Sequence, residues 1–320
     1  MRGRSTILFA VILLACLGAP LFGGPSTRQL GIEFSTTLAL ATLWNLLAGY
    51  AGVVSIGQQA YVGLGGYVLF ALVALLGFPV VAALPLAGVA CGLIAIPSAR
   101  LLFRLRGPHF AIGSWVLAEV FRLAIAQVSA LGGGSGMSLP IRSILAISHS
   151  RPERLLLFCA FAATLALAIS LMVGLLLRSR LGLGLTAIRD AESAASSLGV
   201  DVAWLKRVVY VFVAAATGLV GALLFLQNVR ISPDAAFSVN DWTANIIFIV
   251  VIGGIGTMEG PLIGCLVFFA FRAAFAAYGA WYLIGLGLIA IGMMLARPDG
   301  IAGWVKTSAP RAKSVSKSQA

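Results

Sequence analysis

Apolar runs of the length needed to cross a hydrocarbon core, about 20 residues each, recur along almost the whole chain. Candidate spans lie near 6–22, 31–50, 57–77, 80–103, 109–128, 155–177, 208–227, 243–258, 261–277 and 280–296. The pattern predicts an all-α polytopic integral membrane protein with about ten transmembrane helices. Composition agrees, because a chain that is 60% hydrophobic and 10% charged cannot build a water-soluble surface, for which roughly a quarter charged residues is ordinary. We read 1–303 as one transmembrane domain. The Ser-, Lys- and Ala-rich stretch 304–320 reads as a basic, disordered tail able to touch anionic headgroups.

A net charge of +12 does not point to nucleic acid, since the basic residues flank apolar runs rather than clustering on a soluble surface. They report topology instead. Ten spans put Arg100, Arg104, Arg106, Arg178, Arg180, Arg189, Lys206, Arg207, Arg297, Lys306, Arg311, Lys313 and Lys317 on one side. Only Arg28, Arg142, Arg151, Arg154 and Arg230 fall on the other. Both termini are therefore expected in the cytoplasm. Met1 to Leu17 has the look of a signal peptide, with Leu14-Ala15-Cys16 hinting at a lipoprotein site, but charge parity expects this run to be retained as a span.

Chemistry-bearing constellations are absent. Cys16, Cys91, Cys159 and Cys265 show no metal or disulfide spacing, and His109 and His149 form no HExxH-type pair. No phosphate-binding GxxxxGK[ST] loop occurs, and the GxGxxA match at Gly285, Gly287 and Ala290 lies inside an apolar run, where it reads as packing. The expectation is a protein that is not an enzyme, binds no cofactor or metal, and takes any energy from ATP hydrolysis on another chain.

Two glycine-dense stretches interrupt the apolar pattern at comparable places in the two halves, as a pseudo-repeat would. One runs from Gly49 through Gly52 and Gly57 to Tyr67; the other runs from Gly253 through Gly254 and Gly256 to Gly264. Paired glycine interruptions point to broken helices lining a pathway, and equally to close helix packing through small residues. The polar side chains beside them, Ser55, Gln58, Gln59, Thr257 and Glu259, are candidates for the translocation path or for capping the broken ends. Within the spans, Glu119 and Arg122 are spaced for a mutual ion pair, and Arg272 is expected to meet Glu259.

The segment 178–207 is too polar to span and too apolar for a linker. Ile188, Ala191, Ala195 and Leu198 would form one stripe on a helix of about three turns, ended by Gly199 in the left-handed conformation. Arg189, Glu192, Ser193, Ser196 and Ser197 fall mostly off that stripe. Such a helix either docks in a groove of a soluble partner or lies along the membrane surface.

Here the residues resemble a known family. Glu192-Ser-Ala194-Ala195-Ser-Ser-Leu198-Gly199 is similar to the coupling loop of ABC importer permeases, although its Glu stands two positions before the Ala pair rather than next to it. The stretch Ser179 to Glu192, the segments Asn45 to Tyr67, Gly107-Pro108-His109-Phe110-Ala111-Ile112 and Val251 to Gly264, and the loop Gly132 to Gly136 resemble the high-affinity branched-chain amino acid permeases, the LivM-like subunit in particular. The resemblance covers roughly residues 30 to 303. It implies a permease subunit in a bacterial inner membrane that works with a second related permease, two cytoplasmic ATP-binding subunits and an external substrate-binding protein. It also implies that Ile188, Arg189, Glu192, Ala194, Ala195, Leu198 and Gly199 couple to the ATPase. Urea or short-chain amides are the alternative solutes, and an ion-coupled secondary transporter is the alternative class.

Overall fold

The computed structural model describes residues 2–105, 107–145, 147, 148, 150–275, 281–296 and 300–307. The first half of the chain forms α1 (Arg2–Gly18), α2 (Pro25–Asn45), α3 (Gln58–Phe70), α4 (Val80–Leu102), α5 (Pro108–Ala126), the short α6 (Ile141–Leu145) and α7 (Arg151–Arg178). The second half adds α8 (Arg180–Asp190), α9 (Glu192–Ser197), α10 (Val202–Asn228), α11 (Pro233–Ala236), α12 (Asn245–Gly253), α13 (Gly260–Phe275), α14 (Trp281–Ala296) and α15 (Gly300–Thr307). Two-residue strands, β1 (Met137–Ser138) and β2 (Arg230–Ile231), pair antiparallel with Met137 opposite Ile231.

Each predicted apolar run overlaps a helix, although the run 243–258 leaves it at Gly253. Among the described residues, seven helical stretches, 25–50, 58–75, 80–102, 108–126, 151–178, 202–228 and 233–253, are long and apolar enough to cross a bilayer. The other three runs coincide with α1, α13 and α14, which have 17, 16 and 16 residues and so fall somewhat short of the usual 20. The protein is an all-α, multi-pass membrane protein, with strand confined to the small ribbon.

The core is built around α10, which packs on α3 and α4, while α2 packs on α7 and α12 packs on α13 and α2. The α3–α10 crossing is tight because glycines face each other. A Cβ on Gly65 would lie 1.9 Å from the Gly218 carbonyl oxygen, and one on Gly221 would lie 2.2 Å from that of Val62. The first glycine-rich stretch thus serves both expectations: its early part interrupts a helix and its later part lets two backbones touch, as small residues do between membrane helices. The loop from Gly132 to Gly136 folds against the ribbon, where a Cβ on Gly136 would meet the Ile231 carbonyl oxygen.

Several expectations are corrected. Arg272 pairs with Glu33 of α2, at 3.1 and 3.5 Å, and not with Glu259. Glu259 precedes the first turn of α13 and Arg272 lies in its last turn, roughly 20 Å further along the helix axis at 1.5 Å per residue. The 188–198 stripe does not form on one helix, because Ala191 is extended (φ −158°, ψ 92°) and separates α8 from α9. Ile188 and Ala195 are buried, whereas Ala191 is exposed and Leu198 is 84% exposed. The break resets the helical phase, so residues that would share a face point apart. Helix α15 runs from Gly300 to Thr307, across the expected boundary at 303; the predicted tail beyond it, with Arg106, His149 and Arg297, lies outside the described residues. Glu119 and Arg122 do pair, with both carboxylate oxygens 3.0 Å from Nε, and Asp234 joins them at 2.6 Å from Nη1.

Gly221→Val tests the α3–α10 contact. Overpacking at a backbone-to-backbone approach of this kind is expected to cost about 1–3 kcal/mol or more. Thermal unfolding in detergent will show a lowered midpoint for this variant, while Gly292→Val, which meets no neighbour within 4 Å, will unfold like the parent.

Candidate functional site

The two glycine-rich stretches become two breaks in the helical bundle. α2 runs into a wider π turn over Leu46–Tyr50, residues 51–57 leave the helix, and α3 starts at Gln58. α12 ends at Gly253, residues 254–259 are irregular, and α13 starts at Gly260. Irregular backbone at membrane depth must find internal hydrogen-bond partners, and Ser55 and Thr257 of the polar residues singled out in the sequence supply some of them.

In the first break the Trp44 indole donates to the Ser55 carbonyl at 2.8 Å, the Gly57 N–H donates to Ser55 Oγ at 3.2 Å, and the Ile56 N–H donates to Ser114 Oγ on α5 at 3.0 Å. Gly57 is pressed so close to α5 that a Cβ there would lie 2.2 Å from the Ser114 carbonyl oxygen. In the second break Thr257 Oγ1 donates to the Gly254 carbonyl at 2.9 Å and accepts from the Gly260 N–H at 3.0 Å. Ser55 and Thr257 therefore occupy capping positions. Glu259 is partly buried beside the start of α13, and its carbonyl accepts from the Ile263 N–H.

Gln58 and Gln59 lie inside the subunit at the start of α3. Gln58 Nε2 donates to the Leu40 carbonyl at 3.1 Å, and Gln59 Oε1 accepts from the Thr243 hydroxyl in the π segment Val239–Ala244 before α12. Gln58 Oε1 and Gln59 Nε2 have no partner among the described residues. Ser55, Gln58, Tyr61, Tyr210 and Thr217 surround a cavity of about 10 Å³, a volume that suits one water.

One residue joins the breaks. Asn45, the last residue of α2, donates from Nδ2 to the Thr257 carbonyl at 2.9 Å and accepts at Oδ1 from the Gly256 N–H at 2.8 Å. The amide thus bridges segments more than 200 positions apart. The backbones then touch: a Cβ on Gly49 would lie 2.4 Å from the Gly256 nitrogen. Gly256 itself has φ +73°, a conformation glycine adopts without penalty. Gly300, the first residue of α15, closes the same joint from the other side, with its hypothetical Cβ 2.4 Å from Gly254 Cα.

The 178–207 segment reaches this joint. Arg189, at the end of α8, donates from Nη1 to the Gly49 carbonyl at 3.4 Å while Nε holds Asp190 at 3.0 Å. Its Nη1 also flanks Gly256, and its backbone passes beside Gly52, which has φ +66°. Buried Leu185, Ile188 and Ala195 seat the segment on the bundle, where α8 contacts α10 and the π turn after α2. Glu192 reaches Lys206 on α10 at 2.8 Å. Gly199 takes the left-handed conformation (φ +87°) and its N–H donates to the Ser196 carbonyl. Facing away from the bundle are Leu183, Ala194 and Leu198, all exposed. Sequence reasoning named Arg189 but not its inward contact, and it missed Asn45, whose only signal is a carboxamide at the end of an apolar run. Among the described residues no group of three or more His, Cys, Asp or Glu side chains could hold a metal.

Comparison with known proteins bears on this arrangement. Residues 29–297 match the family model described as branched-chain amino acid transport system, permease component. The chain is 25% identical to the high-affinity branched-chain amino acid transport system permease protein LivM of Escherichia coli (strain K12), over 93% of this chain and 75% of that protein. It is 25% identical to LivM of Salmonella typhimurium over 80% and 65%. It is 27% identical to the probable branched-chain amino acid transport permease protein LivM of Methanocaldococcus jannaschii over 81% and 70%. The chain therefore spans between 65% and 75% of the length of these relatives. No solved structure matches it.

Asn45→Ala removes both hydrogen bonds of the joint and leaves the Thr257 carbonyl and the Gly256 N–H without them. A loss of about 1–3 kcal/mol is expected for each polar group left unsatisfied. Hydrogen exchange will report faster exchange confined to residues 45–57 and 253–260, with the α3–α10 contact protected as before.

Proposed function

Because the chain belongs to the family of branched-chain amino acid transport system permease components, we propose that its 178–207 segment receives the motion of a separate ATPase and passes it through Arg189 to the joint of the two broken helices. The chain is the permease subunit of an ABC importer and not an enzyme. The observation that carries the coupling route is the contact of Arg189 Nη1 with the Gly49 carbonyl, at the point where Gly49 abuts Gly256.

The exposed apolar side chains Leu183 and Leu198 offer a surface on which a soluble partner can dock. Ile188 and Ala195 instead hold the segment to the membrane domain, while Glu192 with Lys206 and the turn at Gly199 fix its shape. A push on α8 and α9 is thereby delivered to backbone rather than to a flexible side chain. The five polar residues beside the breaks shape those breaks: Ser55 and Thr257 cap them, Gln58 and Gln59 anchor α3, and Glu259 marks the entry to α13.

The partners proposed are a second related permease, two cytoplasmic ATP-binding subunits that bind and hydrolyse the ATP, and an external substrate-binding protein. Branched-chain amino acids are the proposed solutes, in keeping with the family and with the names of the relatives. Charge parity supports an inner-membrane orientation with both termini and the 178–207 segment in the cytoplasm. An ion-coupled mechanism is not favoured, since Glu119, one of the two intramembrane carboxylates suited to it, is held by Arg122.

Purification of the tagged chain in mild detergent, followed by uptake of labelled leucine in proteoliposomes, tests the reading. An ATP-binding chain will co-elute with the parent and with Arg189→Ala, but Arg189→Ala will lower uptake at least tenfold. Gly199→Pro, which can neither take φ +87° nor donate to Ser196, will lose the ATP-binding chain. A parent protein that co-elutes with no ATP-binding chain overturns the proposal.

A further inference from the structure

At the end of the bundle away from the joint, α2, α10, α12 and α13 diverge around a cleft of about 310 Å³. Its position follows from the helices themselves. Glu33 on α2 lies twelve residues before Asn45, roughly 18 Å along the helix, and Arg272 is near the far end of α13. The volume is at the lower end of the 300–1,000 Å³ typical of small-molecule sites.

The cleft is sorted by depth. Its floor takes one apolar side chain from each of the four helices, Leu40, Leu224, Ile246 and Phe268, all buried. Its mouth carries charge. Glu33 and Arg272 face each other in a two-point ion pair whose side chains are 41% and 44% exposed, and the exposed Asp241 lines the same cleft with no partner for its carboxylate among the described residues. Asn228 and Asn245 add neutral hydrogen-bonding groups on the same wall. Two acids and one guanidinium over an apolar floor are an unusual expense near the end of membrane helices, where charged groups are mostly functional or paired. The ion pair accounts for Glu33 and Arg272 but not for Asp241.

We propose that this cleft is a binding site for the zwitterionic head and apolar side chain of a branched-chain α-amino acid. The solute α-carboxylate takes the Arg272 donors from Glu33 in the two-point geometry that guanidinium groups favour. The α-ammonium group then lies between Glu33, released from that pair, and Asp241. Every charge that loses a partner gains one, so no ion is left bare, and the branched side chain rests on Leu40, Leu224, Ile246 and Phe268. The cleft therefore selects for both ends of the head group and for an apolar side chain. This inference rests on the importer reading for the direction of entry, in which the cleft opens outward and receives the solute before the joint moves.

The test uses the assembled transporter in nanodiscs, with and without the external binding protein. Equilibrium dialysis of labelled leucine without that protein will show saturable binding, displaced by valine. Leucinamide, which lacks the carboxylate, and 4-methyl-2-oxopentanoate, which lacks the ammonium group, will not displace it. Arg272→Gln and Asp241→Asn will each weaken binding at least tenfold and raise the KM for ATP-driven uptake with kcat within about twofold. Asp241→Asn matters most for interpretation, because its carboxylate holds nothing whose loss would unfold the protein. The double variant Glu33→Arg, Arg272→Glu rebuilds the ion pair with reversed polarity and will remain defective. Parent affinity in the double variant, or equal displacement by the two one-charge analogues, overturns the proposal. If every variant keeps the parent KM while the parent imports leucine, the cleft assignment fails and the importer reading stands. If the parent transporter imports no branched-chain amino acid, the importer reading fails and dialysis alone judges the cleft.

Discussion

The Asn45 carboxamide lies at the centre of this molecule's organisation. With one donor and one acceptor it satisfies two backbone groups of the 254–259 break, and it does so from the end of a helix whose own continuation is interrupted a few residues later. Unpaired peptide groups are costly in an apolar interior, so neither break is stable as an isolated feature of one helix. The first leans on Ser114 of α5, and the second on Asn45 of α2. The close approach of Gly49 to Gly256 depends on the same geometry, and so do the seat of Gly300 and the reach of Arg189.

The contacts of this joint are hydrogen bonds and backbone-to-backbone packing, without a long apolar zipper that would have to be torn. The α3–α10 pair, by contrast, is locked where glycine meets backbone, and α3 is buried over nearly its whole length. The molecule therefore combines a closely packed inner pair with a seam held by hydrogen bonds. On the proposed route Arg189 enters the seam from the segment that an ATPase would move, while the cleft at the opposite helix ends shares α2, α12 and α13 with that seam. A displacement at the seam is thus applied to three of the four helices that frame the cleft.

The places where expectation and structure parted share one cause. The 188–198 stripe was legible as spacing, but spacing assumes an unbroken helix, and the extended backbone at Ala191 shifts the phase of everything after it. Arg272 was expected to meet the nearest acid in sequence and meets Glu33 instead, because a helix carries its two ends apart. Ser55 and Thr257 were open between pathway and capping roles, and the hydrogen bonds of the two breaks put both in capping positions.

The sequence by itself determined what belongs to local patterns. Apolar run length set where helices lie, glycine density set where they break, and Gly199 set where a turn takes the left-handed conformation, since each of these depends only on residues a few positions apart. Only the tertiary structure decided which break meets which, that Asn45 rather than a charged or catalytic side chain joins them, and that Glu33, Asp241 and Arg272 share one cleft. The Asn45 contacts and the Glu33–Arg272 pair link positions 211 to 239 residues apart along the chain. No periodicity records them, because they arise from helices packing side by side and not from the order of residues along any one helix.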